Sequence, residues 1–309
     1  MANEVDLENS YFDPKHPGSF GGPDRLAKET NVSRKAAKHF LQTQDTYTRN
    51  KNVRHKFRRR KIVVPSIDYL WQADLITVIN FSRKNKGVKY LLTVIDALSR
   101  FAFVRALKNK TARVVTEAFN DIFVSSGRKC KYLQTDHGTE FYNAKFKELM
   151  KINSIVLFSN HSELKASMVE RFNRTLMMRL NKYFTYTKNT IYIDQLQSFI
   201  DSYNSTIHRS IKTRPKDVNE FNQFDAWLCS NSDLIKSNQS KIKFKVGEFV
   251  RIKIQKPTFA KGYSCTYSEE IYKIREIVNS KPITYKISDN TDENILGIFY
   301  PEELTPVKL

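Results

Sequence analysis

The sequence predicts an α/β chain in three parts: a mixed sheet flanked by helices, preceded by a small helical region and followed by a small barrel of short strands. Three observations predict it. Between residues 69 and 184, β-branched and aromatic runs give way to helical periodicity in a regular order. Residues 1–66 are polar and poorly periodic. After residue 241 short apolar runs recur between turns, without helical spacing. With 309 residues the chain has length for two or three domains of about 100–200 residues each. The boundaries fall at 1–66, 67–218, a polar linker 219–240 carrying one short apolar helix, and 241–309.

In the first part, Pro17 to Pro23 is turn material, Asp24–Glu29 suits a short helix, and Asn31-Val32-Ser33 caps a second over Arg34–Gln42, where Ala37, Phe40 and Leu41 share a face. Two short helices suggest a helix-turn-helix-like unit. The histidines His16, His39 and His55 have no cysteine before Cys130 to join them, so a zinc finger is not expected. From Arg49 to Lys61 the run is basic without an acid, which suits an arm that follows phosphates; Arg54, Arg58, Arg59, Arg60 and Lys61 are its candidate contacts.

In the second part, Tyr69–Ile79, Lys89–Asp96 and Phe101–Leu107 read as adjacent strands. Thr111 caps a helix to about Ser125, with Val114, Val115, Ala118, Phe119 and Ile122 on one face. A strand at Lys131–Thr135, a helix at Asn143–Lys151 and a strand at Ser154–Phe158 follow. The loop Ser159–Lys165 then leads into a long helix, Ala166–Phe184. Three strands, helix, strand, helix, strand, helix is the order of a ribonuclease H-like domain. A further helix over Thr190–Ile207 carries Leu196, Phe199, Ile200 and Tyr203 on one stripe, suited to core or subunit packing. In the third part Phe244–Ile252, Ile271–Val278, Ile283–Ile287 and Ile295–Tyr300 suggest an SH3-like or chromodomain-like barrel.

Composition narrows the function. Lys and Arg number 52 against 32 Asp and Glu, a formal charge of +20 with a sequence pI near 9.7, which points to a polyanion and first of all to nucleic acid. A short, basic chain poor in aromatics is excluded by 21 Phe and 15 Tyr. Cys130, Cys229 and Cys265 are odd in number and widely spaced, against a disulfide scaffold or a cysteine zinc site. No apolar run approaches the ~18 residues of a membrane span, and the N-terminus has neither a basic start nor an apolar stretch; neither secretion nor a membrane partner is expected.

The candidate chemistry rests on three carboxylates: Asp74 in mid-strand, Asp136 at the end of the fourth strand and Glu170 one turn into the long helix. Acids on a sheet are costly unless something positive compensates them, and a divalent metal does so. Two hard cations about 3.5–4 Å apart on oxygen ligands suit phosphodiester chemistry. Asp96 reads as a turn cap or a support for Ser99 and Arg100, Glu140 as facing solvent or a basic neighbour, and Gly138 as permitting a tight turn after Asp136. His137 and His161 read as surface histidines. Lys165, Arg171 and Arg174 flank Glu170 and suit DNA phosphates, although Arg174 at i+4 also suits an ion pair with it.

Taken together, Trp71-Gln-Ala-Asp74, Val94-Ile-Asp-Ala-Leu-Ser-Arg-Phe101, Gln134-Thr-Asp-His-Gly-Thr-Glu-Phe141 and Val169-Glu-Arg-Phe-Asn-Arg174 resemble the successive blocks of the retroviral-type integrase core. Tyr203-Asn204 with His208 and Pro215 is similar to the block after it. The head, Tyr11-Phe-Asp-Pro-Lys-His-Pro-Gly-Ser-Phe-Gly-Gly22 with Gln44-Asp-Thr-Tyr47, resembles integrases of Maverick/Polinton elements and virophages. The resemblance implies that Asp74, Asp136 and Glu170 are a catalytic triad binding Mg²⁺ or Mn²⁺. It implies metal-dependent 3′-end processing and strand transfer of element DNA into target DNA by a homo-multimer, a tetramer on its DNA, in the nucleus of a eukaryotic host or a virophage factory. The family's C-terminal module is similar to the last part, where Lys243, Lys245, Arg251, Lys253 and Lys256 would face DNA; Tyr263, Tyr267 and Tyr272 suit core packing or a methyl-lysine cage that would read chromatin. The Asp136–Glu170 spacing is slightly shorter than the family's, and His137 replaces its usual Asn. A transposase or nuclease on the same fold, or a domesticated DNA-binding protein without catalysis, is the alternative.

Overall fold

The computed structural model describes residues 4–52, 57–159, 166–235, 242–254 and 265–309. The chain divides into two units: residues 62–236 form one, and residues 1–61 with 237–309 form the other.

The second of these begins with four helices, α1 (Glu4–Phe12), α2 (Pro23–Thr30), α3 (Arg34–Thr43) and α4 (Asp45–Arg49). Ser33 caps α3 as predicted, accepting a hydrogen bond from the Ala36 amide at 3.1 Å. Asn31 closes α2 in the left-handed conformation (φ 56°), which Asn tolerates. Leu7, Tyr11, Leu26, Phe40 and Leu41 make the small core. The helix α1 is absent from the sequence reading, because its apolar residues are too few to show a helical stripe.

In the larger unit β1 (Leu70–Thr77), β2 (Tyr90–Asp96) and β3 (Ala102–Leu107) pair antiparallel. Then α5 (Ala112–Ser126), β4 (Tyr132–Thr135), α6 (Ala144–Ile152), β5 (Val156–Ser159) and α7 (Ser167–Thr187) follow in the predicted order. The sheet runs β3-β2-β1-β4-β5, with β4 and β5 parallel to β1. Strand alternation sends Trp71, Leu92, Val94 and Leu133 to one face, against Val115, Phe119 and Ile122 of α5. It sends Leu91 and Ile95 to the other, against Val169, Phe172, Leu176 and Leu180 of α7.

The helix expected over Thr190–Ile207 is shorter. Asn85 ties residues 190–193 down, donating to the Thr190 carbonyl at 2.9 Å and accepting from the amides of Tyr192 at 2.7 Å and Ile193 at 3.1 Å. α8 therefore spans Leu196–Asn204. Its stripe packs internally, with Leu196 and Ile200 buried beside α7 and the partly buried Phe199 and Tyr203 against them. Asn204 is itself buried and pairs with both the amide and the carbonyl of Ala102 at 2.9 Å, pinning the edge strand β3. The apolar helix of the predicted linker is α9 (Gln223–Ile235).

The C-terminal strands β6 (Phe249–Ile252), β7 (Tyr272–Val278), β8 (Thr284–Ser288) and β9 (Leu304–Val307) form an antiparallel sheet in the order β8-β7-β6-β9. The strand predicted at Ile295–Tyr300 makes only single bridges, Asn294 to Ser288 and Phe299 to Tyr285. Gly297, at φ 118°, interrupts it. Tyr267 and Tyr272 are buried core residues rather than walls of an open cage; Tyr263 and Lys256 lie outside the described residues.

Candidate active site

Register decides which acids meet. β1 and β4 pair in parallel as Leu70 with Tyr132, Trp71 with Leu133 and Gln72 with Gln134. Two residues beyond the last pair stand Asp74, in the middle of β1, and Asp136, just past the end of β4, so the same offset and pleat direct both to one face of the sheet. Gln72 and Gln134 fix that offset through a buried hydrogen bond from Gln72 Nε2 to Gln134 Oε1 at 2.9 Å.

The same Gln72 brings in the helix. Its Oε1 accepts from the amides of Met168 at 2.9 Å and Val169 at 3.2 Å, the first-turn groups that have no partner inside α7. The first turn of α7, which carries Glu170, is thereby docked against β1, the strand that carries Asp74. One turn on, Asn173 Nδ2 donates to Asp74 Oδ2 at 2.8 Å, while Asp74 Oδ1 accepts from the Leu75 amide at 2.8 Å. Sequence reasoning missed both Gln72 and Asn173. The signal was spacing: Gln72 lies two residues before Asp74 on the same strand face, and Asn173 lies at i+3 from Glu170.

Asp74 is half-buried, whereas Asp136 and Glu170 are exposed, so the expectation of acids buried on the sheet holds only in part for Asp74. Among the described residues no three acids, histidines or cysteines converge into a ready-made metal cluster. Asp74, Asp136 and Glu170 are thus not gathered into such a cluster. Their donor chemistry, hard carboxylate oxygens with no sulfur, nonetheless fits Mg²⁺ or Mn²⁺.

The neighbouring acids are separated from this site by the pleat. Asp96 pairs across the ladder with Trp71, on the face opposite Asp74, and is fully buried. Its carboxylate accepts from the amide and hydroxyl of Ser99 and, at 3.1 Å, from the Asp68 amide, with Arg128 at 3.6 Å. Burial raises its pKa, against those hydrogen bonds and Arg128. It is the turn cap expected of it. Glu140 is not solvent-facing: it pairs with Lys110 at 3.8 Å, its side chain is 11% exposed, and it folds back over Gly138. A Cβ on Gly138 would stand 2.6 Å from the Glu140 carboxyl carbon, so the glycine makes room for that carboxylate instead of supplying a left-handed turn. His137 contacts the Ser159 hydroxyl and packs 5.4 Å from the Tyr142 ring.

The candidate DNA contacts sort by burial. Arg171 and Arg174 are exposed on α7, and among the described residues Arg174 makes no ion pair with Glu170. Arg58, Arg59, Arg60, Lys61, Lys243 and Lys245 are exposed as well. Arg59 is partly engaged, with Glu303 at 3.6 Å and its guanidinium 4.8 Å from the Phe57 ring centre. Lys243 donates to the Pro301 carbonyl at 2.9 Å. Arg251 overturns the expectation for it. It is 1% exposed, pairs with Asp45 of α4, and donates to Thr48 Oγ1 at 3.2 Å, to the Ser268 carbonyl at 2.9 Å and to the Glu269 carbonyl. A guanidinium so engaged joins helix to sheet and does not face DNA. Arg54, Lys165 and His161 lie outside the described residues.

The model of the integrase core domain matches residues 66–159, which include Asp74 and Asp136 but stop short of Glu170. A transposon-derived protein of Caenorhabditis elegans is 40% identical over 192 residues, 62% of this chain and 64% of that protein. The retrovirus-related Pol polyprotein from transposon 412 of Drosophila melanogaster is 29% identical over 127 residues, 40% of this chain and 10% of the polyprotein. The chain thus spans less than two thirds of each of these relatives. A chain from the cryo-EM structure of the simian T-cell lymphotropic virus intasome in complex with the PP2A regulatory subunit B56 gamma shares the fold. Its TM-score is 0.62 at 14% identity, over 93% of this chain and 95% of that one. Residues 66–159 match the integrase core domain, within a sheet-and-helix unit of ribonuclease H-like fold, and the chain is similar to a transposon-derived protein and to a retrovirus-related polyprotein of a transposon.

Proposed function

We propose that this protein is a DNA integrase of a mobile element or virus, which trims the 3′ end of element DNA and joins it to target DNA. The observation that supports the reading is the register of β1 with β4, two residues beyond which lie Asp74 and Asp136, together with Gln72 and Asn173, which dock the first turn of α7, the turn that carries Glu170, against β1. Asp74, Asp136 and Glu170 would hold Mg²⁺ or Mn²⁺, which when bound supplies Lewis-acid stabilisation of charge at the reacting phosphate. The chain's own part is positioning and electrostatics. Asn173 orients Asp74, and the exposed Arg171 and Arg174 on the same helix neutralise the backbone of a DNA strand laid across the site. The basic arm and Lys243 and Lys245 of the C-terminal sheet add phosphate contacts, the sheet serving as a barrel-type DNA-binding module.

The head residues Tyr11 to Gly22 support assignment of the element to the Maverick/Polinton or virophage kind, working in a nucleus or a viral factory. Joining two ends to one target needs two active sites, and a single core carries one. A multimer on DNA, most simply a tetramer, follows. Strand-transfer assays with labelled end DNA in Mg²⁺ test the reading. Asp74→Asn, Asp136→Asn and Glu170→Gln should each abolish trimming and joining while leaving duplex binding intact. Joining near the wild-type rate by any of the three defeats it.

A further inference from the structure

The end of the basic arm is docked on the turn that precedes β9, and both belong to the smaller of the two units. Tyr300 is the anchor. It is 2% exposed, its ring lies 5.4 Å from that of Phe57, and its hydroxyl accepts a hydrogen bond from the Arg60 amide at 2.9 Å. Between these contacts Arg59 is held by its guanidinium, 4.8 Å from the Phe57 ring centre and 5.9 Å from that of Tyr300, with a terminal nitrogen 3.6 Å from Glu303 Oε1. Glu303 is itself fixed: its Oε2 accepts from the Tyr300 amide at 3.1 Å, and its own amide donates to the Tyr300 carbonyl at 2.9 Å. Among the described residues neither Arg58 nor Arg60 has a carboxylate of this kind, so one arginine of the three is singled out.

A carboxylate offers a guanidinium the same paired oxygens as a phosphate. The Arg59 side chain is 40% exposed and that of Glu303 20%, so the pair is modest in strength and an incoming anion can reach the arginine. We infer that Glu303 is an intramolecular competitor of DNA: it latches the arm to the C-terminal sheet through Arg59, and a duplex recruits that arginine only by displacing the carboxylate. The latch sets a threshold instead of a block. Backbone that is weakly held leaves Arg59 on Glu303, whereas a duplex already engaged by Arg58 and Arg60 draws Arg59 across. The inference rests on the reading of the arm as a phosphate contact and is independent of end joining.

Binding of a fluorescein-labelled duplex to the full-length protein is followed by anisotropy in EDTA, so that no chemistry intervenes, for wild type, Glu303→Gln, Arg59→Gln and the double variant. Gln keeps an oxygen for the Tyr300 amide and loses the charge that holds Arg59. Glu303→Gln is expected to bind about two- to fivefold more tightly, the strength of one partly exposed ion pair, and the gain is expected to vanish when Arg59 is Gln. In the Glu303→Gln background, Arg59→Gln is expected to cost as much as Arg58→Gln. Glu302→Gln makes the same change of net charge one residue away; its effect is expected to be smaller and the same with or without Arg59. Unfolding midpoints accompany each variant, and should Glu303→Gln prove unstable, Glu303→Asp, which withdraws the carboxylate by one methylene at constant charge, is expected to tighten binding in the same Arg59-dependent way. A Glu303→Gln protein that binds as wild type while Arg58→Gln binds more weakly overturns the latch and leaves the arm's phosphate contacts standing. An equal gain from Glu302→Gln, or a gain that survives the loss of Arg59, assigns the effect to net charge and also overturns it. If neither Arg58→Gln nor Arg59→Gln weakens binding in either background, the reading of the arm falls and the latch with it.

Discussion

Asn173 offers the sharpest test of how the site is held together. Its Nδ2 donates to Asp74 Oδ2 at 2.8 Å, and among the described residues its buried Oδ1 has no partner, so the side-chain bond described for it is to a candidate metal ligand. A hydrogen bond to a carboxylate contributes about 1.5–3 kcal/mol, and each ~1.4 kcal/mol of lost transition-state stabilisation slows a reaction about tenfold. Asn173→Ala should therefore slow single-turnover joining by about ten- to a hundredfold. It should also raise the Mg²⁺ concentration needed for half-maximal rate, because Asp74 is no longer pre-positioned. Helicity should not suffer, since Ala is the better helix former. Asn173→Asp should be worse than Ala, because it sets a second carboxylate against Asp74. The assay is joining of labelled end DNA at a series of Mg²⁺ concentrations, with duplex binding in EDTA as a control. A joining rate for Asn173→Ala within about twofold of wild type, or full activity in Asn173→Asp, would refute the positioning argument.

Three further outcomes follow from particular contacts. Arg251→Met should cost about 1.5–3 kcal/mol of stability, seen as a lower unfolding midpoint, by removing charge-assisted bonds to α4 and to the Ser268 and Glu269 carbonyls; its salt slope for DNA should be unchanged, and a reduced slope would return Arg251 to the DNA surface. Within the basic arm, Arg58→Gln should weaken duplex binding more than Arg59→Gln, because Arg59 is already engaged by Glu303 and the Phe57 ring; equal losses in anisotropy titrations would contradict that ordering. Burial holds His208 at about 4 in the folded chain against about 6.5 when unfolded, so the contribution to stability is present above pH 6.5 and is lost as pH falls through 4. Urea denaturation should show His208→Gln losing less stability than wild type between those two pH values, and parallel curves would show that the imidazole is not so held.

Much of the larger unit was legible in the sequence, because its elements announce themselves locally. Trp71 to Asp74, the alternating apolar run through β2 and the single apolar stripe of α5 are short-range patterns whose periods already state strand or helix. The acids Asp74, Asp136 and Glu170 read as a set because each stands in a recognisable block. The chain alone did not decide which neighbouring acid shares the site. Asp74 and Asp96 both sit among apolar residues on adjacent strands, and only the pairing register, Trp71 with Asp96 and Asp74 with Thr93, puts them on opposite faces. A one-residue slip of β2 would bring Asp96 onto the face of Asp74. Gln72 and Asn173 were invisible for a related reason: each acts through a partner about a hundred residues away, and a polar residue on a strand or helix carries no local mark of which distant amide or carboxylate it will meet. Arg251 shows the converse. By charge and spacing it belonged with the DNA-facing lysines, yet Asp45, Thr48 and two loop carbonyls converge on it and remove it from water. Local sequence fixes an element's type and which residues share a face. Burial, pairing and the identity of the facing group are properties of the folded chain, because they depend on residues that only tertiary packing brings within reach.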